Sequence, residues 1–330
     1  MSAAKIIPFA SRSGLRFGIY LGGISEVHHE LATGKPDIPE EINRVLDELQ
    51  GNKQFLVRTY LGFTGSDDDA ELVDMPSMPD LARYTWRGRK LDLVLSNWDR
   101  KGNTAGWTEF IVNVIARYGA YIGCLQICEE PNLYEYPGDG RFGNAVENIL
   151  TGVRVARNAL KQRALSANVG FNAVPCLDSH DGFWREMTER IDHSFINCLD
   201  YVGLNFYPDV TVPLVGEMSA DVVKTLTHFR EETLRSAGIP GSVPIHVCEN
   251  GWPTGPFRYY TRQADLIEQM VRAVHKVRVE LNITHYELFA LRDADTANPD
   301  LNHQFGILRD DYSAKPAFEV YRNLVWELGV

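Results

Sequence analysis

Short apolar runs alternate with longer amphipathic runs from residue 15 to the end of this chain, and that alternation most limits what it can fold into. The short runs are Leu15–Leu21, Gln54–Tyr60, Leu91–Ser96, Tyr121–Cys128, Asn168–Val174, Tyr201–Tyr207, Pro244–Glu249 and Thr284–Leu291. Their length and their Gly/Pro/Asn borders suit buried strands. Between and after them, apolar residues recur at helical spacing near Pro39–Leu49, Thr108–Tyr118, Ala145–Leu165, Phe183–Ile196, Asp221–Ser236, Arg262–Leu281 and Pro316–Leu328. Eight strand-like runs alternating with helical ones in one chain of 330 residues predict a single α/β domain, a (β/α)₈ or TIM barrel, with residues 1–14 as an N-terminal extension.

A doubly wound open sheet is the competing architecture. It needs a phosphate-binding loop directly at a strand end, and the one candidate is Gly138-Asp139-Gly140-Arg141-Phe142-Gly143. That match to G-x-G-x-x-G lies well past the fourth run, and no acidic ribose partner follows it. It reads as a flexible loop before the next helix.

A hydrophobic content of 44% supplies a large core. The net charge of −11 argues against nucleic acid or an anionic membrane surface as a partner. No apolar run approaches membrane-spanning length, and the start lacks a signal-peptide core, so a cytoplasmic location is expected. The five cysteines, Cys124, Cys128, Cys176, Cys198 and Cys248, read as reduced and mostly buried thiols. Cys124 and Cys128 lack a second Cys/His cluster, and His28-His29-Glu30 lacks a third ligand and reads as a solvated loop, so no metal or other cofactor is expected. The acidic run from Asp67 to Glu71 reads as another solvated loop.

Barrel enzymes carry their working groups at the C-terminal strand ends. Residues falling there are Tyr20, Arg58, Trp98, Asp99, Glu129, Glu130, Asn172, Asn205, Tyr207, Glu249, Trp252, Phe289, Arg292 and Asp293. Glu130 follows the end of the fourth run and Glu249 ends the seventh, on opposite sides of a barrel mouth. Two carboxyls so placed can flank a bond the size of a glycosidic link, one protonating the leaving oxygen and the other attacking the anomeric carbon. Tyr207 and Trp252 would suit the apolar faces of sugar rings. Blander roles compete: Arg58 as counter-ion of a buried acid, Trp252 as barrel wall, and Arg292-Asp293-Ala294-Asp295 as a salt-bridged loop rather than a substrate contact.

Taken together, these motifs resemble the clan A glycoside hydrolases, retaining enzymes on a (β/α)₈ barrel. The turn Glu129-Glu130-Pro131-Asn132 is similar to the clan's Asn-Glu-Pro turn, which implies Glu130 as acid/base. Glu249-Asn250-Gly251-Trp252-Pro253 resembles the turn that carries the nucleophile, which implies that role for Glu249. Tyr207, two residues past Asn205, and Arg58 resemble the groups that hold the nucleophile. Two places depart from the pattern. Glu129 stands where the clan has an Asn that touches the sugar 2-hydroxyl, and Phe289 or Leu291 stands where a tryptophan floors the site.

The resemblance implies a retaining glycosidase with Glu130 and Glu249 as catalysts. Arg58, Trp98, Glu129, Asn205, Tyr207, Trp252, Phe289 and Arg292 would line a site for a small glycoside or oligosaccharide. A transglycosidase, or a carbohydrate-binding or regulatory barrel that has lost its chemistry, are the alternatives.

Overall fold

The structure, a computed structural model, describes residues 14–27, 30–65, 80–135, 138–176, 182–210 and 213–330. Eight parallel strands close into a barrel: β1 (Arg16–Tyr20), β4 (Phe55–Phe63), β5 (Lys90–Asn97), β6 (Ile122–Ile127), β7 (Asn168–Ala173), β8 (Tyr201–Asn205), β9 (Ile245–Asn250) and β10 (Ile283–Leu288). Closure comes from β1, which pairs with β4 on one side and β10 on the other. Around it run α1 (Pro39–Gln50), α2 (Thr104–Tyr118), α3 (Ala145–Gln162), α4 (Gly182–Arg190), α5 (His193–Ile196), α6 (Met218–His228), α7 (Tyr260–Val277) and α8 (Pro316–Leu328). The (β/α)₈ barrel expected from the alternation is therefore the fold. Among the described residues no helix is long and apolar enough to cross a membrane.

Outward-facing strand residues such as Ile19, Val57, Leu93 and Val247 pack with Trp107, Ile111, Val153 and Val271 of the helices into one continuous apolar layer. The barrel lumen differs. Its lower part holds Leu56, Cys124, Tyr201 and Cys248, and its upper part is lined by charged and amide side chains. Side chains alternate in and out along a strand, so each barrel strand contributes only two or three groups to this interior.

Local departures from the sequence reading have identifiable causes. The segment read as one helix from Phe183 to Ile196 is two, because Asp192 accepts a hydrogen bond from the Phe195 backbone N–H at 2.7 Å and starts a new helix. Strands β2 (Ile24–Val27) and β3 (Glu30–Thr33) form an antiparallel ladder that the alternation does not signal. His28, His29 and the run from Asp67 to Glu71 lie outside the described residues. All five cysteines are free thiols.

The glycine-rich stretch 138–143 is not a flexible loop. It forms a 3₁₀ turn over Asp139–Phe142 in which Asp139 is buried, and the Asp139 carboxylate accepts from the backbone N–H groups of Asn97 and Glu129, both at 2.9 Å. Gly140 is needed for closeness, since a Cβ there would sit 2.4 Å from the Pro131 carbonyl oxygen. Burial pushes the Asp139 carboxyl up to about 7, against the two backbone donors.

Candidate active site

The site is assembled at the C-terminal end of the barrel around one buried cation. Arg58 on β4 is fully buried and spreads its guanidinium over three strands. Its Nε donates to Glu249 at 3.0 Å, its Nη1 to Asp92 at 2.5 Å, and its Nη2 to Gln126 at 3.1 Å and Glu129 at 3.3 Å. Burial opposes the Arg58 charge, but Tyr60, Asp92, Glu249 and Glu129 outweigh it and hold the guanidinium well above its ordinary range. A fully buried charge is stable only with such partners.

A bulge in β9 brings Glu249 into this group. Strand alternation from His246, which stacks inside on Tyr201, would also turn Cys248 inward and Glu249 outward. The pairing, however, skips a residue against both neighbours: Val247 then Glu249 against Leu204 and Asn205 of β8, and Val247 then Asn250 against Tyr286 and Leu288 of β10. The extra residue lets Cys248 and Glu249 both face the lumen, which is how bulges re-aim side chains beside active sites. Gly203 makes the room, because a Cβ there would lie 2.6 Å from the Cys248 sulfur.

Glu249 is held by three donors: the hydroxyl of Tyr60 and Arg58 Nε on one oxygen, and the hydroxyl of Tyr207 on the other. Burial, joined by the negative Glu249, pushes the Tyr207 hydroxyl up. For Tyr60, burial and Glu249 outweigh the pull of Arg58 in the same direction. Both phenols therefore stay protonated and remain donors. Tyr20 stacks on Phe289 at 4.7 Å, and Tyr207 and Phe305 meet Phe289 edge-on, so an aromatic wall stands beside the carboxylate.

Opposite lies the turn after β6. Cys128 and Glu130 have φ of 66° and 44°, a left-handed conformation that costs a non-glycine residue about 1–3 kcal/mol. The turn is over-determined by its bonds: Asn172 accepts from the Glu130 N–H at 2.8 Å, and Asp139 accepts from that of Glu129. The side chain of Asn205 donates to both Glu129 at 2.8 Å and Glu130 at 3.0 Å. Glu129 also accepts from Gln126 at 2.5 Å and Asn172 at 3.2 Å. It thus does turn towards Arg58, yet it stays in the site. Burial, then Glu249 and Glu130, push the Glu129 carboxyl well above the carboxylate range, with Arg58 opposing.

One carboxylate oxygen each from Glu129, Glu130 and Glu249 lies within 4.8 Å of the others. These three could present oxygens to a cation, but Arg58 already supplies positive charge to Glu129 and Glu249 and two phenols cover Glu249. Cys124, His246 and His285 also approach within 4.8 Å deeper in the lumen. The two imidazole rings there lie 3.6 Å apart with planes tilted by 34°, and burial holds both imidazoles well below their ordinary range.

Arg58, Glu129, Glu130, Asn205, Tyr207 and Glu249 are therefore brought together as a bonded group, with Phe289 on the wall. Trp98 is buried against Gly62. Trp252 is buried, donates to Asp209 at 2.9 Å and carries the Arg258 guanidinium 3.6 Å over its ring, a walled position rather than an open platform. Arg292 is not in the group. It pairs with Asp37 at 2.7 Å and the Lys35 carbonyl, while Asp293 beside it pairs with buried Lys315 at 2.8 Å, the arrangement of a salt-bridged loop. Tyr60, Asp92, Gln126 and Asp139 were missed from sequence. Each is a polar residue in an apolar stretch or, for Asp139, between two glycines just past the fourth strand.

No family model matches the chain, and no curated protein matches it. Among solved structures it is similar to a family 1 β-glucosidase from Thermotoga maritima, at 13% identity and TM-score 0.63, over 96% of this chain and 98% of that one. A β-glucosidase from Exiguobacterium marinum matches at 12% identity and TM-score 0.62, over 95% and 99% of the two chains. A family 39 glycoside hydrolase from Bacteroides cellulosilyticus matches at 15% identity and TM-score 0.59, and this chain covers 64% of its length. At these identities the likeness is one of fold.

Proposed function

We propose that this barrel is a retaining glycoside hydrolase acting on small glycosides or oligosaccharides through Glu249 as nucleophile and Glu130 as acid/base. The observation that carries the reading is the approach of Glu130 and Glu249 across the mouth, with carboxylate oxygens within 4.8 Å. Retaining glycosidases place the two carboxyls about 5–5.5 Å apart, whereas inverting ones need about 6.5–9.5 Å for an intervening water. Arg58, Tyr60 and Tyr207 fix the oxygens of the Glu249 carboxylate for attack on an anomeric carbon. Glu130 delivers a proton to the leaving oxygen, then takes one from the water that breaks the glycosyl–enzyme ester. The aromatic wall of Tyr20, Tyr207 and Phe289 supplies an apolar face for the ring in place of the tryptophan that is absent. The free thiols fit a reducing compartment.

The test is turnover of a panel of aryl β- and α-glycosides, with and without a chelator. Turnover that ignores the chelator supports the reading. Sugar binding without turnover would make the chain a carbohydrate-binding barrel, and chelator-sensitive turnover would assign the three glutamates to a metal.

Glu129 gives this site an extra carboxyl. Burial, Glu249 and Glu130 push the Glu129 carboxyl up against the pull of Arg58, and crowded carboxyls disfavour one another's ionisation. Glu129→Gln removes one negative charge from the cluster, and the basic limb of the kcat/KM profile is expected to move to lower pH. Preference among 2-substituted glycosides should change with it, because an amide offers a donor where a carboxylate accepts. A profile and a preference both unchanged would confine Glu129 to holding Arg58.

A further inference from the structure

A second acid pair lies on the other arm of Arg58, and the proposed chemistry does not use it. Asp92 on β5 and Glu287 on β10 are each only 1% exposed. One Asp92 oxygen takes the Arg58 Nη1 bond at 2.5 Å. The other Asp92 oxygen and both Glu287 oxygens have no nitrogen or hydroxyl donor among the described residues, and the two carboxyls meet each other. Room for this contact comes from β1. Gly18 is the register partner of Glu287, and a Cβ there would come within 2.7 Å of a Glu287 oxygen.

Two touching carboxylates with no donor between them would be a buried like-charge pair, which proteins do not sustain. A proton on one of them turns the repulsion into an O–H to carboxylate hydrogen bond and satisfies one orphaned oxygen on each residue. Asp92 has the arginine, so the proton belongs on Glu287. The titratable and charged groups around it are Arg58 on β4, Asp92 on β5, Cys124 on β6, Cys248 and Glu249 on β9, and Tyr321 on α8. Burial, then Asp92, push the Glu287 carboxyl well above its ordinary range, with Arg58 opposing.

We propose that Asp92 and Glu287 share one buried proton, carried by Glu287, and that this acid pair is a positioning device for Arg58 and hence for Glu249. With the proton in place Asp92 divides its charge between Arg58 and the Glu287 hydroxyl, which leaves more of the guanidinium for Glu249. When the proton leaves, a further negative charge competes for Arg58 and weakens its hold on Glu249. The consequence for turnover rests on the reading of Glu249 as nucleophile, but the shared proton does not.

The sign for stability follows from the raised position of Glu287. The folded state keeps a proton that the unfolded chain releases in the ordinary carboxylate range. The contribution is complete below that range and is lost as pH rises towards the folded pKa, by about tenfold in the folding constant per pH unit for one proton.

Glu287→Gln keeps the shape and a donor but cannot lose it. Infrared spectra at neutral pH are expected to show a carbonyl band of a buried protonated carboxyl in the wild type. That band should vanish in Glu287→Gln and move in Asp92→Asn, where the partner of the O–H has changed. Denaturant melts across pH should show the one-proton decline removed in Glu287→Gln. In kinetics, Glu287→Ala should lower kcat, Glu287→Gln should restore it, and the alkaline limb of Glu287→Gln should extend to higher pH. An unchanged carbonyl region in Glu287→Gln, or a stability that still falls with pH as in the wild type, overturns the shared proton. A wild type without turnover would instead sink the glycosidase reading and leave the spectral and stability arms to be read.

Discussion

Glu249→Gln is expected to abolish turnover of aryl glycosides, by at least about 10⁴-fold in kcat, while the chain remains folded. The amide is isosteric but cannot form the glycosyl ester. It also offers one acceptor oxygen where the carboxylate offered two, so the hydroxyl of Tyr60 or Tyr207 must lose its acceptor. Arg58 keeps Asp92 and Glu129, so the buried cation is not stranded and the barrel need not unfold around it. Losing one buried hydrogen bond costs about 1–3 kcal/mol, a modest fall in melting temperature beside the loss of rate. Kinetics on two leaving groups, with a thermal melt of the same preparation, make the check. Activity within tenfold of the wild type would place the nucleophile elsewhere.

The architecture was legible because a parallel barrel buries both faces of each strand, and eight such strands mark the chain plainly. The end of β9 was legible for a similar reason, since Glu249 breaks an apolar run where a strand meets the mouth. The interior polar groups were not. Leu91-Asp92-Leu93 and Tyr286-Glu287-Leu288 show the alternation of an ordinary half-exposed strand, and nothing local says that the polar side faces a closed lumen. The carboxylate and amide partners of Arg58 lie 34 to 191 residues away in sequence, beyond the reach of any periodicity. The bulge at Cys248 was hidden because it exists only against the neighbouring strands. Asp139 was misjudged for a related reason: glycines that permit close backbone packing look the same in sequence as glycines that permit motion.

Glu130→Ala is expected to divide substrates by their leaving groups. General acid catalysis contributes about 10²–10⁴-fold, and it is lost fully for an alkyl aglycone that must depart as an alkoxide. An activated aryl group leaves as a stable phenolate without a proton, so its glycosylation step should survive and the intermediate on Glu249 should accumulate. Breakdown then lacks the base that activates water. Azide needs no base and can enter the space left by the glutamate side chain, so added azide should raise kcat on the activated substrate. The product expected is a glycosyl azide with the anomeric configuration of the substrate, which double displacement requires. Glu129 is the neighbour placed to substitute, but its oxygens accept from Arg58, Gln126, Asn172 and Asn205 and are oriented away from water activation by those bonds. Equal losses on both leaving groups with no response to azide would remove Glu130 from the acid/base role. A response to azide that yields the inverted product would remove Glu249 from the nucleophile's role as well, because azide would then be attacking the substrate and not a glycosyl–enzyme ester.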